Sequence, residues 1–123
     1  HPPLPIRAAD GGLIGDPEQP YRGIYVGDED SSRKPAYHNG TAWTWPLPLF
    51  CEAYARAFDQ APEAVRSARC YLCSMADLLD RGCLGQIPEI LDGDAPHHQR
   101  GCLAQAWGIT EALRVWRLLQ ATA

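Results

Sequence analysis

Glycine and proline crowd into two stretches of this chain, and the crowding decides where helices can form. The first stretch, residues 1–36, holds Pro2, Pro3, Pro5, Gly11, Gly12, Gly15, Pro17, Pro20, Gly23, Gly27 and Pro35. Proline fixes φ and removes an amide donor, and glycine raises the entropic cost of any regular element. The density predicts an irregular lead-in with no helix and a short extended piece at about Tyr21–Val26. The second stretch, residues 82–102, reads GCLGQIPEILDGDAPHHQRGC. It predicts a long loop, with a short strand at Leu84–Ile87.

Three helical windows remain. The first, about Pro46 to Phe58, carries Leu47, Phe50, Tyr54 and Ala57 at helical spacing. The second opens at Pro62, with Glu63 beside the positive helix end, and carries Val65, Ala68, Leu72, Met75, Ala76 and Leu79 before a stop at Gly82. The third, about Cys102 to Leu119, carries Leu103, Ala106, Trp107, Leu113, Trp116 and Leu119, and is widened by Ile109, Val115 and Leu118. The reading is an all-α chain of about three helices joined by long loops. It is a single partial domain over residues 1–123: an irregular lead-in at 1–36, then a helical part at 37–123 that includes the loop at 82–102. Faces this broad want partners on several sides. The chain is therefore expected to be part of a larger all-α body, or to self-associate. A small bundle with an untidy surface is the alternative.

The charge balance bounds the partners. A net charge of −4 with no basic cluster argues against nucleic acid and against an anionic membrane surface. No apolar run approaches the roughly 18 residues of a spanning helix. The five cysteines are an odd number set among helical patterns, which predicts reduced, buried thiols and a cytoplasmic setting. The sequence opens on His1, which suggests processing or a piece of a longer protein.

Two constellations could carry chemistry. The loop at 82–102 gathers Glu89, Asp92, Asp94, His97, His98 and Arg100. A carboxylate on such a loop suits general-base work, with a second carboxylic acid across the substrate. A solvated acidic loop, with Asp92 and Asp94 making turns around Gly93, fits the same spacing. The second constellation is YHNGTAWTW, residues 37–45. Indoles stack on sugar faces while Asn, His and Tyr meet hydroxyl edges, so the set suits a carbohydrate pocket. Core anchoring of Trp43 and Trp45 at a helix start fits it equally well. Cys70 and Cys73 form C-x-x-C, but in mid-helix and without a second ligand pair, so buried thiols are the better reading than zinc. The DGD triplet lacks the spaced ligands of a calcium loop, and neither a phosphate-binding Gly-rich loop nor a nucleophile elbow occurs.

Taken together, YHNGTAWTWPLPLFCEAY and GQIPEILDGDAPHHQRGCLAQAW resemble two segments of the glucosidase region of glycogen debranching enzymes, in the same order and at similar spacing. PYRGIYVGDEDSSRKPAYHNG is similar to the family's lead-in. The resemblance implies an amylo-α-1,6-glucosidase, which removes the single α-1,6-linked glucose at a trimmed branch of glycogen. It implies the C-terminal part of an (α/α)6 toroid and inversion at the anomeric carbon by an acid and a base. Carried over by position, Glu89 is the general base. Tyr37, His38, Asn39, Trp43 and Trp45 line the glucose subsite, while Asp92, His97, Arg100 and Gln105 support the base loop or meet sugar. The expected partners are glucose or an α-glucan and the rest of the toroid, and no metal or organic cofactor is implied. The family's general acid lies upstream of this segment, so the isolated chain is expected not to turn over substrate. A stand-alone, non-enzymatic glycan-binding or self-associating module is the alternative.

Overall fold

Pro46 and Pro62 each sit in the first turn of a helix, where a missing amide hydrogen costs nothing. A computed structural model describes residues 6–7 and 21–121 of the chain. Five α-helices lie within the described residues: α1 (Lys34–Tyr37), α2 (Pro46–Ala57), α3 (Pro62–Cys73), α4 (Ala76–Leu79) and α5 (Ala106–Ala121). Four two-residue strands, β1 (Ile6–Arg7), β2 (Ala42–Trp43), β3 (Ile90–Leu91) and β4 (Gln99–Arg100), join in that order into one antiparallel sheet. The chain is mainly α-helical, as expected. The sheet is not, because strands of two residues are too short to leave an alternating pattern. The loop at 82–102 contributes β3 and β4, and the strand expected at Leu84–Ile87 is absent.

The helices differ from expectation where local hydrogen bonds compete with the helical ladder. The second window breaks after Cys73. Ser74 Oγ donates to the Tyr71 carbonyl at 2.6 Å, and its amide donates to the same oxygen at 3.1 Å. A serine that takes a carbonyl from its own helix ends it early. The third window starts at Ala106 rather than Cys102, because the intervening backbone is already paired. Glu89 N donates to Cys102 O at 2.8 Å, and Gln105 N donates to Ile87 O at 3.1 Å. The lead-in is not free of helix. A π-helical turn at Glu29–Arg33 runs directly into α1. Asp28 caps it, accepting from the amides of Asp30 and Ser31 at 3.1 and 3.0 Å, and Pro35 occupies the first turn of α1. Residues 21–26 take no regular structure.

The core lies where α2, α3 and α5 meet. Leu47, Cys51 and Ala55 of α2 pack with Val65, Ala68 and Leu72 of α3, Val115 and Leu119 of α5, and Ile87 and Leu91 from the loop. The buried stripe of α2 is therefore turned relative to the one expected: Ala57 is exposed and Phe50 is 42% exposed. Small Cys51 and Ala55 face inward because two helices approach there. The larger Phe50, Tyr54 and Phe58 form an aromatic margin with Tyr71, with ring centroids 5.0–6.0 Å apart. On α5 the shift is similar. Val115 and Leu119 are buried, while Trp107 and Leu113 are half exposed. Gly108 lets α5 close on the loop layer, since a Cβ there would lie 2.9 Å from Thr44 Oγ1 and 3.2 Å from Ile87.

All five thiols are free, but only Cys51 is buried, and burial pushes its thiol up to about 12. The expectation of uniformly buried thiols fails for Cys70, Cys73, Cys83 and Cys102, which lie on outward faces and loop edges. Arg114 ties α5 to α2, donating to Glu52 Oε2 at 2.6 Å while also holding Glu111 at 2.9 Å. Its guanidinium keeps the Glu52 carboxyl below the ordinary range. No helix among the described residues is long and apolar enough to cross a membrane.

Candidate functional site

The short sheet brings the two sequence constellations together. In β2, Trp43 lies opposite Ile90 of β3, and Ile90 lies opposite Arg100 of β4. Glu89 immediately precedes β3 and is therefore presented at the end of the YHNGTAWTW segment. Thr44 fixes that join. Its amide donates to Glu89 O at 3.2 Å, and its hydroxyl reaches Pro88 O at 2.7 Å and Glu89 O at 3.2 Å.

The Glu89 side chain is half buried and held at both oxygens. The Tyr37 hydroxyl donates to Oε1. The Cys102 amide donates to Oε2 at 3.0 Å. Gly101 makes room for this carboxylate. Its φ is +68°, a left-handed value, and a Cβ there would fall 2.5 Å from Glu89 Oε2. An ionised carboxylate has about four lone-pair positions. Two are taken here, which leaves capacity to bind and orient a water.

Aromatic rings surround the Tyr37 end of this pair. Tyr37 meets Trp43 edge-on at 4.6 Å and His38 at 4.9 Å, and His38 stacks on Trp43 at 5.5 Å with 14° between planes. Trp43 Nε1 donates to the Tyr37 carbonyl at 3.0 Å, which fixes the indole. Tyr25 packs on Tyr37 at 5.6 Å. Burial, and then the hydrogen bond to Glu89, push the Tyr37 phenol well above its ordinary range, so it stays a donor.

A second polar group lies beneath the loop. Asp92 is 2% exposed. Arg100 clamps it with Nε at 3.2 and 3.0 Å from its two oxygens and Nη2 at 2.9 Å. The Tyr25 amide donates to Asp92 Oδ1 at 2.8 Å. His97 Nδ1 lies 3.0 Å from the Asp92 carbonyl. A carbonyl only accepts, so Nδ1 carries the proton.

The structure thus groups Tyr37, His38, Trp43 and Glu89, and separately Asp92, Arg100 and His97. Other expected site residues lie apart from both. Asn39 is buried, with its amide nitrogen bonded to Pro35 O at 2.8 Å; it sits under the end of α1. Trp45 stacks on Trp107 at 4.3 Å with 9° between planes, not on the Tyr37 group. Gln105 enters through its amide. Its Oε1, like Asn39 Oδ1, is buried without a partner among the described residues. Sequence reasoning passed over Tyr25, Thr44, Trp107 and the Cys102 amide. Tyr25 and Thr44 lie inside the recognised segments, but nothing in their local spacing ties them to Glu89, and a backbone amide leaves no signal in residue identity. No group of three or more His, Cys, Asp or Glu side chains positioned for a metal ion occurs among the described residues.

A half-buried carboxylate with two hydrogen-bond positions unused among the described residues, bonded by a phenol that imidazole and indole border, is an arrangement suited to glycoside hydrolysis. Residues 14–114 match a family model described as amylo-alpha-1,6-glucosidase, a class of glycoside hydrolase. The chain belongs to this family, and so corresponds to the C-terminal region of glycogen debranching enzymes. No curated protein and no solved structure gives a significant match.

Proposed function

We propose that this chain is the base-bearing part of an (α/α)6 toroid that hydrolyses α-1,6-linked glucose at branch stubs of glycogen or a related α-glucan, with inversion. Glu89 is the general base: it takes a proton from a water that attacks the anomeric carbon. The observation that supports this most is the holding of both Glu89 oxygens, by the Tyr37 hydroxyl and the Cys102 amide, beside the His38–Trp43 stack. The two remaining lone-pair positions suit the water. His38 and Trp43 meet the glucose ring, and Asp92, Arg100 and His97 brace the base loop.

The general acid comes from outside these residues. Among the described residues, several other carboxylates are already engaged: Asp92 with Arg100, Asp94 with Tyr21, Glu52 and Glu111 with Arg114, Glu63 with Arg66, and Asp30 with Lys34. Inverting acid and base sit roughly 6.5–9.5 Å apart across the sugar. The remaining toroid helices supply that acid. They also cover the apolar groove of about 270 Å³ lined by Leu72, Met75, Leu79, Ile109, Leu113 and Trp116. The chain alone therefore does not turn over substrate. The five free thiols suit a reducing, cytoplasmic setting.

The test is Glu89→Gln in the natural protein that carries these residues. Glucose release from a branched limit dextrin should fall by about 10³-fold, within the usual range for loss of a general base, while glucan binding persists. NMR of the first-formed product should show β-glucose. Retained activity in the variant, or α-glucose as first product, rejects the assignment.

A further inference from the structure

We propose that Tyr25, in the lead-in segment, is a positioning residue for the base, acting through Tyr37 on Glu89. The inference rests on the reading of Glu89 as the base and adds a component that lies outside both site segments.

The lead-in is fastened across the base loop by backbone and side-chain bonds. Gly23 O accepts from the amides of Gly93 at 2.7 Å and Asp94 at 3.2 Å, and the Tyr21 hydroxyl donates to Asp94 Oδ1 at 2.8 Å. The Arg22 amide donates to Asn39 O at 3.1 Å, so the same few residues also grip the end of α1. Tyr25 lies at the end of this fastening. Its amide is fixed by buried Asp92, which Arg100 clamps from a partly exposed position, and its ring packs against Tyr37 at 5.6 Å. The guanidinium of Arg33 lies 5.9 Å from the Tyr25 centroid and covers it from the π-helical turn.

Tyr37 in turn has little freedom. Tyr25, His38 and Trp43 border its ring, and its hydroxyl is committed to Glu89. A phenol pivots about its χ angles, so the hydroxyl position depends on what confines the ring. Tyr25 confines it on one side. Glu89 Oε2 is anchored by backbone, whereas among the described residues Oε1 is anchored by this phenol alone. The rotation of the carboxylate, and with it the direction of its open lone pairs, thus follows Tyr37. Displacing a base by about 1 Å can cost on the order of a hundredfold in rate. The effect belongs in kcat, because the sugar faces His38 and Trp43.

The experiment compares Tyr25→Leu, Tyr37→Phe and the double variant in the natural protein, with Glu89→Gln as reference. Tyr37→Phe should lower kcat by roughly 30-fold, and Tyr25→Leu by roughly tenfold, with KM and glucose affinity within about twofold of wild type. The double variant should be no slower than Tyr37→Phe alone, since a residue that acts through another adds nothing once that one is gone. If the two losses multiply, or if Tyr25→Leu weakens glucose affinity more than fivefold, the inference is overturned and Tyr25 contacts sugar or acts independently. Tyr25→Phe should restore the rate, because ring packing carries the effect; failure of that rescue also rejects it. If Glu89→Gln is itself active, the base assignment falls first and the positioning role falls with it.

Discussion

The helical layer of α2, α3 and α5 and the loop layer that carries Glu89 are built on different principles. The helical layer is apolar and regular: Leu47, Val65, Leu72, Val115 and Leu119 meet in a common core, and no single contact is indispensable in kind. The loop layer has two-residue strands and is held by individual polar bonds. Asp92, Thr44, the Cys102 amide and the Gly23 carbonyl each satisfy a specific partner. Burial stabilises the first layer in proportion to area. The second depends on pairing, because an unpaired buried polar group costs free energy outright. A perturbation that both layers tolerate in volume should therefore be felt very differently.

The sharpest contrast is Asp92→Ala. It strands Arg100 and the Tyr25 amide, and should destabilise the protein by about 4 kcal/mol in urea unfolding, with loss of activity as well. A cost under about 1 kcal/mol would show that the loop layer is not held by pairing. Leu119→Ala in the helical layer should cost about 3 kcal/mol through the cavity it leaves. In the fraction that remains folded, glucose affinity should be unchanged; a parallel loss of affinity would show that the layers are not separable. Gly101→Ala should cost about 1–2 kcal/mol, from the left-handed backbone and the clash with Glu89. Its kcat should fall further than that stability loss explains.

The smallest effect is expected at Arg114. Arg114→Ala should cost less than about 1 kcal/mol and be weaker still in high salt, since the ion pair is partly exposed. Its pH dependence has a definite sign. Glu52 titrates lower in the folded state than unfolded, because Arg114 holds the charged form. The pair therefore contributes above the unfolded glutamate value of about 4.3 and its contribution fades as pH falls through the depressed folded value. The difference between wild type and variant, followed by thermal unfolding, should narrow on acidification. A constant difference would assign the effect to the Arg114 stem instead.

The two layers were also unequally legible in the sequence. The helical layer declares itself through periodicity and through Pro46 and Pro62, so α2 and α3 fall inside the expected windows and α5 overlaps its own, starting later and running on to Ala121. Periodicity did not show which way α2 faces, because Phe50 and Tyr54 outweigh Cys51 and Ala55 in hydrophobicity while the close approach of two helices selects the small pair. Helix ends were lost where Ser74 and the 102–105 backbone found other partners. In the loop layer the residue types were readable: a carboxylate, indoles, a histidine and a tyrosine. Their meeting was not, since it depends on strands too short to leave a pattern. Trp45 shows the limit most clearly. Its neighbour in space is Trp107, sixty-two positions along the chain, and nothing in local spacing separates it from Trp43.

The amide of Cys102 has one further consequence. Half of the grip on Glu89 comes from a main-chain group, and every amino acid except proline brings the same group. A scan that trims side chains one by one will therefore pass over position 102, however much the carboxylate depends on it. A residue whose amide holds the Glu89 carboxylate can therefore look like an unconstrained position in the loop. An ester in place of that peptide link, or a proline at 102, is what exposes it.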